Sequence, residues 1–124
     1  MSVQQTTDGG YIITGVTSFF GNSDVYLIKT DGNGDSLWTK TFGGLSQDYG
    51  LSVQQTSDGE YIISGSTTSS VNGNDDVYLI KTDGNGDSLW IRTYGGSDTY
   101  YGRSVQQTAD GGYIVAGSKR SSGV

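Results

Sequence analysis

The apolar residues of this chain fall in short β-branched and aromatic runs, each bounded by glycine and small polar residues. YII at 11–13 and 61–63, YIV at 113–115 and VYLI at 25–28 and 77–80 are continuous runs. Uninterrupted runs of that length suit strands covered on both faces. LWTKTF at 37–42 mixes large apolar residues with Thr and Lys, as a partly exposed outer strand does. Between the runs stand Asp-Gly and Asn-Gly pairs, residues that accept the positive φ of tight hairpin turns. No stretch holds apolar residues at the i, i+3, i+4 spacing of a helix over a useful length. The pattern predicts an all-β chain.

The runs also recur in a fixed order. SVQQT occupies 2–6, 52–56 and 104–108, each time followed by a DG turn and then YIITG, YIISG or YIVAG. DVYLIKTDGNGDSLW is identical at 24–38 and 76–90, and both copies lead into a Gly-Gly pair. One repeat therefore reads as four strands. A is SVQQT, B runs from Tyr11 to Thr17, C from Asp24 to Lys29 and D from Leu37 to Phe42. Four antiparallel strands repeating about every 50 residues predict β-propeller blades, two and a half per chain. The repeats are 1–51, 52–103 and a partial third at 104–124 with strands A and B only. The extra residues of the second repeat fall around Val71 to Asp75, in a loop.

That count leaves one A–B hairpin in surplus, with sheet faces and edges that invite association. Either the chain is a fragment of a longer array or copies of it assemble; the expected partner is another copy of the chain, so that a homo-oligomer completes a ring. The hairpin from Ser104 to Lys119 would join the first C–D hairpin of the next chain, displacing that chain's own A–B hairpin. Alternatively, two surplus hairpins would pair with each other.

Composition narrows the chemistry. The chain has neither Cys nor His, which removes thiol nucleophiles, disulfides, Cys/His zinc sites and His-based acid–base catalysis. A net charge of −6 opposes binding to a phosphate backbone, so no nucleic-acid partner is expected. No apolar stretch approaches the ~20 residues of a membrane-spanning helix, and no membrane partner is expected. The first residues already belong to the repeat and carry no secretion signal.

VYLIKTDGNGDSLWTKT, residues 25–41, resembles the C–D hairpin of the PQQ-like (quinoprotein-type) propeller repeat. The longer unit, from SVQQT through DGGYII to the Gly-Gly pair, resembles the propeller-like repeats of large secreted bacterial proteins with C-terminal sorting domains. The resemblance covers essentially the whole chain. It implies a propeller fold, a scaffolding role, an extracellular or cell-surface location, and Trp38 and Trp90 packed between blades. The metal and quinone constellation of a dehydrogenase is not among these repeats, so no cofactor is expected.

Several side chains are candidates for a site. Asp31, Asn33 and Asp35, with Asp83, Asn85 and Asp87, place oxygen ligands at alternate positions, as at the start of a calcium loop. Ser36 and Phe42 stand where an EF-hand needs Gly and Glu, so a capped hairpin turn is the favoured reading and calcium the minor one. Asp48, Tyr49, Asp98, Tyr100 and Tyr101 fall between strands D and A, and Asn72 and Asp75 between B and C. These two loop sets are expected on one face. Tyr rings can stack on a sugar while Asn and Asp bind its hydroxyls, so a glycan or protein ligand is the candidate there. One Gln of each Gln-Gln pair, Gln4-Gln5, Gln54-Gln55 and Gln106-Gln107, is expected to satisfy buried backbone groups or to line a central channel. The favoured function is a non-catalytic interaction scaffold. A polysaccharide hydrolase or lyase using loop carboxylates is the alternative, and the near-identity of the repeats also suits an excised or designed assembly fragment.

Overall fold

The computed structural model describes residues 1–19, 22–43, 47–68, 74–96 and 98–121. It contains ten strands, β1 (Ser2–Gln5), β2 (Tyr11–Phe19), β3 (Asn22–Thr30), β4 (Ser36–Phe42), β5 (Asp48–Gln55), β6 (Tyr61–Thr68), β7 (Asp75–Thr82), β8 (Ser88–Tyr94), β9 (Thr99–Gln107) and β10 (Tyr113–Arg120). There is no helix among the described residues. The strands form three antiparallel sheets, ordered β1-β2-β3-β4, β5-β6-β7-β8 and β10-β9. Each sheet is an up-and-down meander, as hairpin turns between successive strands dictate.

Five glycines with φ between 85° and 88° mark the hairpin turns: Gly9, Gly34, Gly59, Gly86 and Gly111. The A–B turns share one device. Thr6, Thr56 and Thr108 each donate a hydroxyl to the aspartate two residues on, while that aspartate accepts the amide of Gly10, Glu60 or Gly112. In the DGNGD turns, Asp31 and Asp83 each accept two backbone amides through one oxygen.

The second sheet lies between the other two, and its two faces have different partners. Val53, Tyr61, Ile63 and Ile80 pack against Ile12, Val25 and Leu27 of the first sheet. Ile62 and Leu79 pack against Val105 of the third sheet, with Tyr113 and Val115 beside them. Covered on both sides, β6 is buried from Tyr61 to Ser66. The outer strands β4 and β8 are mostly exposed. Trp38 meets Tyr61 edge-on at 6.1 Å, and Trp90 meets Tyr113 in the same way at 6.0 Å. Both indoles therefore pack between sheets while remaining only partly buried.

The Gln pairs hold the sheets together in a regular way. Gln4 accepts the amide of Gln55 on the next sheet (2.7 Å), and Gln54 accepts that of Gln107 (2.9 Å). The second Gln of a pair reaches backwards. Gln55 accepts the Thr7 amide and Gln107 the Ser57 amide, each at 2.9 Å. In the Gln54-Gln55 pair both members thus serve backbone groups, one forwards and one backwards, where one was expected to do so; Gln4 serves forwards and Gln107 backwards.

The strands begin earlier than the apolar runs suggest. β5 starts at Asp48 and β9 at Thr99, so Asp48, Tyr49, Tyr100 and Tyr101 are strand residues. Asp75 likewise opens β7. Register shifts between Gly50 and Ser52, and between Ala116 and Gly117, absorb an irregularity that breaks the alternation of a regular strand. Glycine makes this approach feasible. A Cβ on Gly65 would lie 1.7 Å from the Tyr49 carbonyl oxygen, and one on Gly117 would lie 1.9 Å from that of Tyr101.

Gly65→Ala should therefore destabilise the fold by about 3 kcal/mol or more, measured by urea unfolding, because backbone must shift to admit the methyl group. Val53 is 5% exposed and its counterpart Val3 is 63% exposed. Val53→Ala should cost about 2 kcal/mol and Val3→Ala less than ~0.5 kcal/mol, although both stand in the same SVQQ sequence.

Candidate functional site

Chemistry-bearing residues gather at two places, both where neighbouring sheets meet. The first surrounds the starts of β3 and β5. Asp48 is 2% exposed and accepts the Thr67 hydroxyl. An ideal Cβ on Gly43 would lie 2.1 Å from Oδ1 of Asp24 and 2.7 Å from Oδ2 of Asp48, so both carboxylates close over this glycine. Oδ1 of Asp24 is buried without a hydrogen-bond partner, and Oδ1 of Asp76, its counterpart in the second sheet, is in the same state. Burial raises the Asp76 carboxyl above the usual carboxylate range, and the charge of Asp75 adds to the effect. Burial also raises the Tyr78 phenol, reinforced by the charges of Asp48 and then Asp24. Gln47 accepts the Ser23 amide at 2.9 Å, and Thr68 donates its hydroxyl to Asp75 at 2.7 Å. The first bond ties a B–C connection to the D–A connection that follows it, and the second joins the two ends of the next B–C connection.

The second place is a groove of about 450 Å3 between the second and third sheets. Val77, Leu79 and Tyr94 form one wall, and Tyr100, Tyr101, Tyr113 and Val115 line the other side. Lys119, at its mouth, forms an ion pair with Asp98 at 3.1 Å and lies 5.8 Å from the Tyr100 ring centroid. Arg103 lies 5.5 Å from that of Tyr101.

The candidates from the sequence thus divide. Tyr100, Tyr101 and Asp98 come together around this groove, whereas Asp48 lies at the first place beside Asp24, and Asp75 is engaged by Thr68 within the second sheet. Tyr49 is a strand residue of β5, and Asn72 lies outside the described residues. In the DGNGD turns, one oxygen of Asp31 and of Asp83 is engaged by backbone amides, which supports the hairpin-cap reading. Among the described residues no group of three or more Asp or Glu is placed to hold a metal ion. The Asp24–Asp48 approach was missed because Asp24 reads as the first residue of an apolar strand. Its repetition as Asp76 was the available signal.

No protein-family model matches the chain, and no curated protein matches it.

Three turn carboxylates are held below their usual range. Asp8 is held well below the usual range, first by the Thr6 hydroxyl, then by the Gly10 amide and by Lys29. Asp58 and Asp110 are lowered chiefly by the hydroxyls of Thr56 and Thr108. A lowered folded-state pKa stabilises fully above the unfolded value of about 3.9, and that contribution is lost as pH falls below it. Asp76, being raised, acts in the opposite sense. With three groups against one, the urea midpoint should fall as pH drops from 6 to 3, and Asp8→Asn should flatten that slope. Calcium bound at Asp31 and Asp83 would raise the melting temperature. The expected outcome is the same melting temperature in calcium and in excess chelator.

Proposed function

We propose that the chain is a non-catalytic scaffold of β-propeller blades, displaying the ends of its strands to a glycan or protein ligand in an extracellular setting. The observation that carries this reading is that one sheet-to-sheet joint is used twice. Trp38–Tyr61 and Trp90–Tyr113 have near-identical geometry, and the Gln4–Gln55 and Gln54–Gln107 bonds repeat likewise. A joint that repeats without change suits an array whose units stack in sequence, as propeller blades do.

The ligand reading draws on the start of β9, beside the groove and not within it, where Tyr100 and Tyr101 stand next to Lys119 and Asp98. Rings next to charged groups can stack on sugar faces while fixing hydroxyls. The competing hydrolase reading has one observation in its favour, the approach of Asp24 and Asp48 over Gly43. Glycoside cleavage needs two carboxyl groups flanking the scissile bond, one of them protonated. The engagement of Asp48 by Thr67 and its near-complete burial weigh against that use.

The test is a glycan panel together with an assay for reducing ends released from polysaccharides. Binding without turnover is expected, with affinity reduced about tenfold or more in Tyr100→Ala or Tyr101→Ala. Turnover that disappears in Asp24→Asn or Asp48→Asn would overturn the scaffold reading.

A further inference from the structure

The third sheet presents an incomplete copy of a joint that the rest of the molecule shows complete. β10 repeats β2 and β6, each of which has a strand on both sides, yet among the described residues β10 pairs only with β9. Its far edge is therefore a row of backbone donors and acceptors. The groove lies along that edge, lined by Val115, Gly117 and Ser118 of β10 and by Val77, Leu79 and Tyr94 of the second sheet.

The complete joint shows what fills such a groove. Between the first and second sheets, β7 runs beside β6, pairing Ile63 with Ile80 and Gly65 with Tyr78. Ile80 and Tyr78 then pack on the cluster that contains Val25, Leu27 and Phe42 of the first sheet. The vacant groove thus has the place of a strand with the sequence DVYLIKT, and β3 carries it as residues 24–30.

We propose, resting on the scaffold reading above, that the β10 edge and its groove bind the β3–β4 hairpin of a second copy of this chain, which gives up its own β1–β2 hairpin. In the register of β6 with β7, Val115 pairs with Ile28 of the second copy, Gly117 with Tyr26 and Ser118 with Val25. Tyr26 and Ile28 then enter the groove against Tyr94, Val77 and Leu79.

Three further features support a copy of this chain as the occupant. The first is charge. Lys29 is buried and pairs with Asp8 of the A–B turn at 3.1 Å, and the turn of the third sheet offers Asp110 at the same position. The second is the joint to the following sheet. Gln106 takes the place of Gln4 as acceptor for the Gln55 amide, and Ile114, 61% exposed, takes the place of Ile12, fully buried. The third is the length of pairing. β1 meets β2 only from Gln5–Tyr11 to Ser2–Thr14, whereas β9 meets β10 from Gln107–Tyr113 to Arg120–Thr99. The incoming hairpin therefore supplies a longer pair than the one it replaces.

The experiment uses the 124-residue chain, which has no cysteine of its own. Light scattering should give a multiple of the 13.1 kDa chain mass. The double variant Val25→Cys/Ser118→Cys should form a disulfide between copies under mild oxidation. Val16→Cys/Val25→Cys, which pairs neighbours of the unexchanged sheet, should not cross-link within the assembled form. Ile114→Lys should return the mass to that of one chain while the β-sheet circular dichroism is kept. A folded monomeric parent chain would overturn the proposal and leave the scaffold reading standing, and so would an oligomer that cross-links through 16 and 25 but not 25 and 118. Unchanged assembly of Ile114→Lys would overturn it as well. Turnover in the polysaccharide assay, by contrast, would overturn the scaffold reading alone.

Discussion

A sheet that is apolar on both faces cannot be stable alone, and this constraint organises the molecule. YII and VYLI runs give β2, β3, β6 and β7 apolar side chains pointing both ways, so each sheet needs a cover on either side. The second sheet has both covers. Its Ile62, Ile63 and Ile80 are at most 1% exposed. The first and third sheets each have one, which is why Val3 and Ile114 remain open while the corresponding residues of the second sheet are buried. Identical sequence thus acquires different energetic weight from its place in the stack.

Polar groups follow the same logic. The inner strands β1, β5 and β9 carry Gln-Gln opposite the Tyr-Ile of the strands beside them, and those amides serve backbone N–H groups across the sheet-to-sheet gap. A buried amide left without an acceptor costs more than a typical hydrogen bond contributes. The Gln ladder therefore fixes the relative height of neighbouring sheets as well as holding them together. Lys29 and Lys81 do related work at the A–B turns, where buried ammonium groups meet Asp8 and Glu60. The Thr–Asp turns beside them hold their carboxylates ionised and so link the hairpin geometry to acid stability.

The candidate chemistry sits where two sheets meet because the bulged starts of β5 and β9 carry acidic and aromatic side chains into that space. Gly65 and Gly117 admit the carbonyls of Tyr49 and Tyr101 at distances no Cβ could tolerate. Three residues before the bulge, equivalent positions bear Asp48 in β5 and Tyr100 in β9. Hence one interface became acidic and the other aromatic, on a common backbone.

The sequence alone determined the strand type, the order of strands and the repeat, because hairpin turns and apolar runs are local signals. The mixed apolar and polar pattern of strand D also marked β4 and β8 as partly exposed, while the place of Trp38 and Trp90 between sheets was an implication of the family resemblance and not of the pattern. Tertiary structure decided the rest. That Asp48, Tyr100 and Tyr101 are strand residues follows from a glycine-dependent approach between backbones fifteen or more residues apart, which no local pattern encodes. That Asp24 approaches Asp48, that both Gln residues of a pair are used, and that Val3 and Val53 differ in burial all depend on which sheet lies opposite. Strands are written in neighbouring residues; joints between sheets are written in residues about one repeat apart, and only folding brings them together.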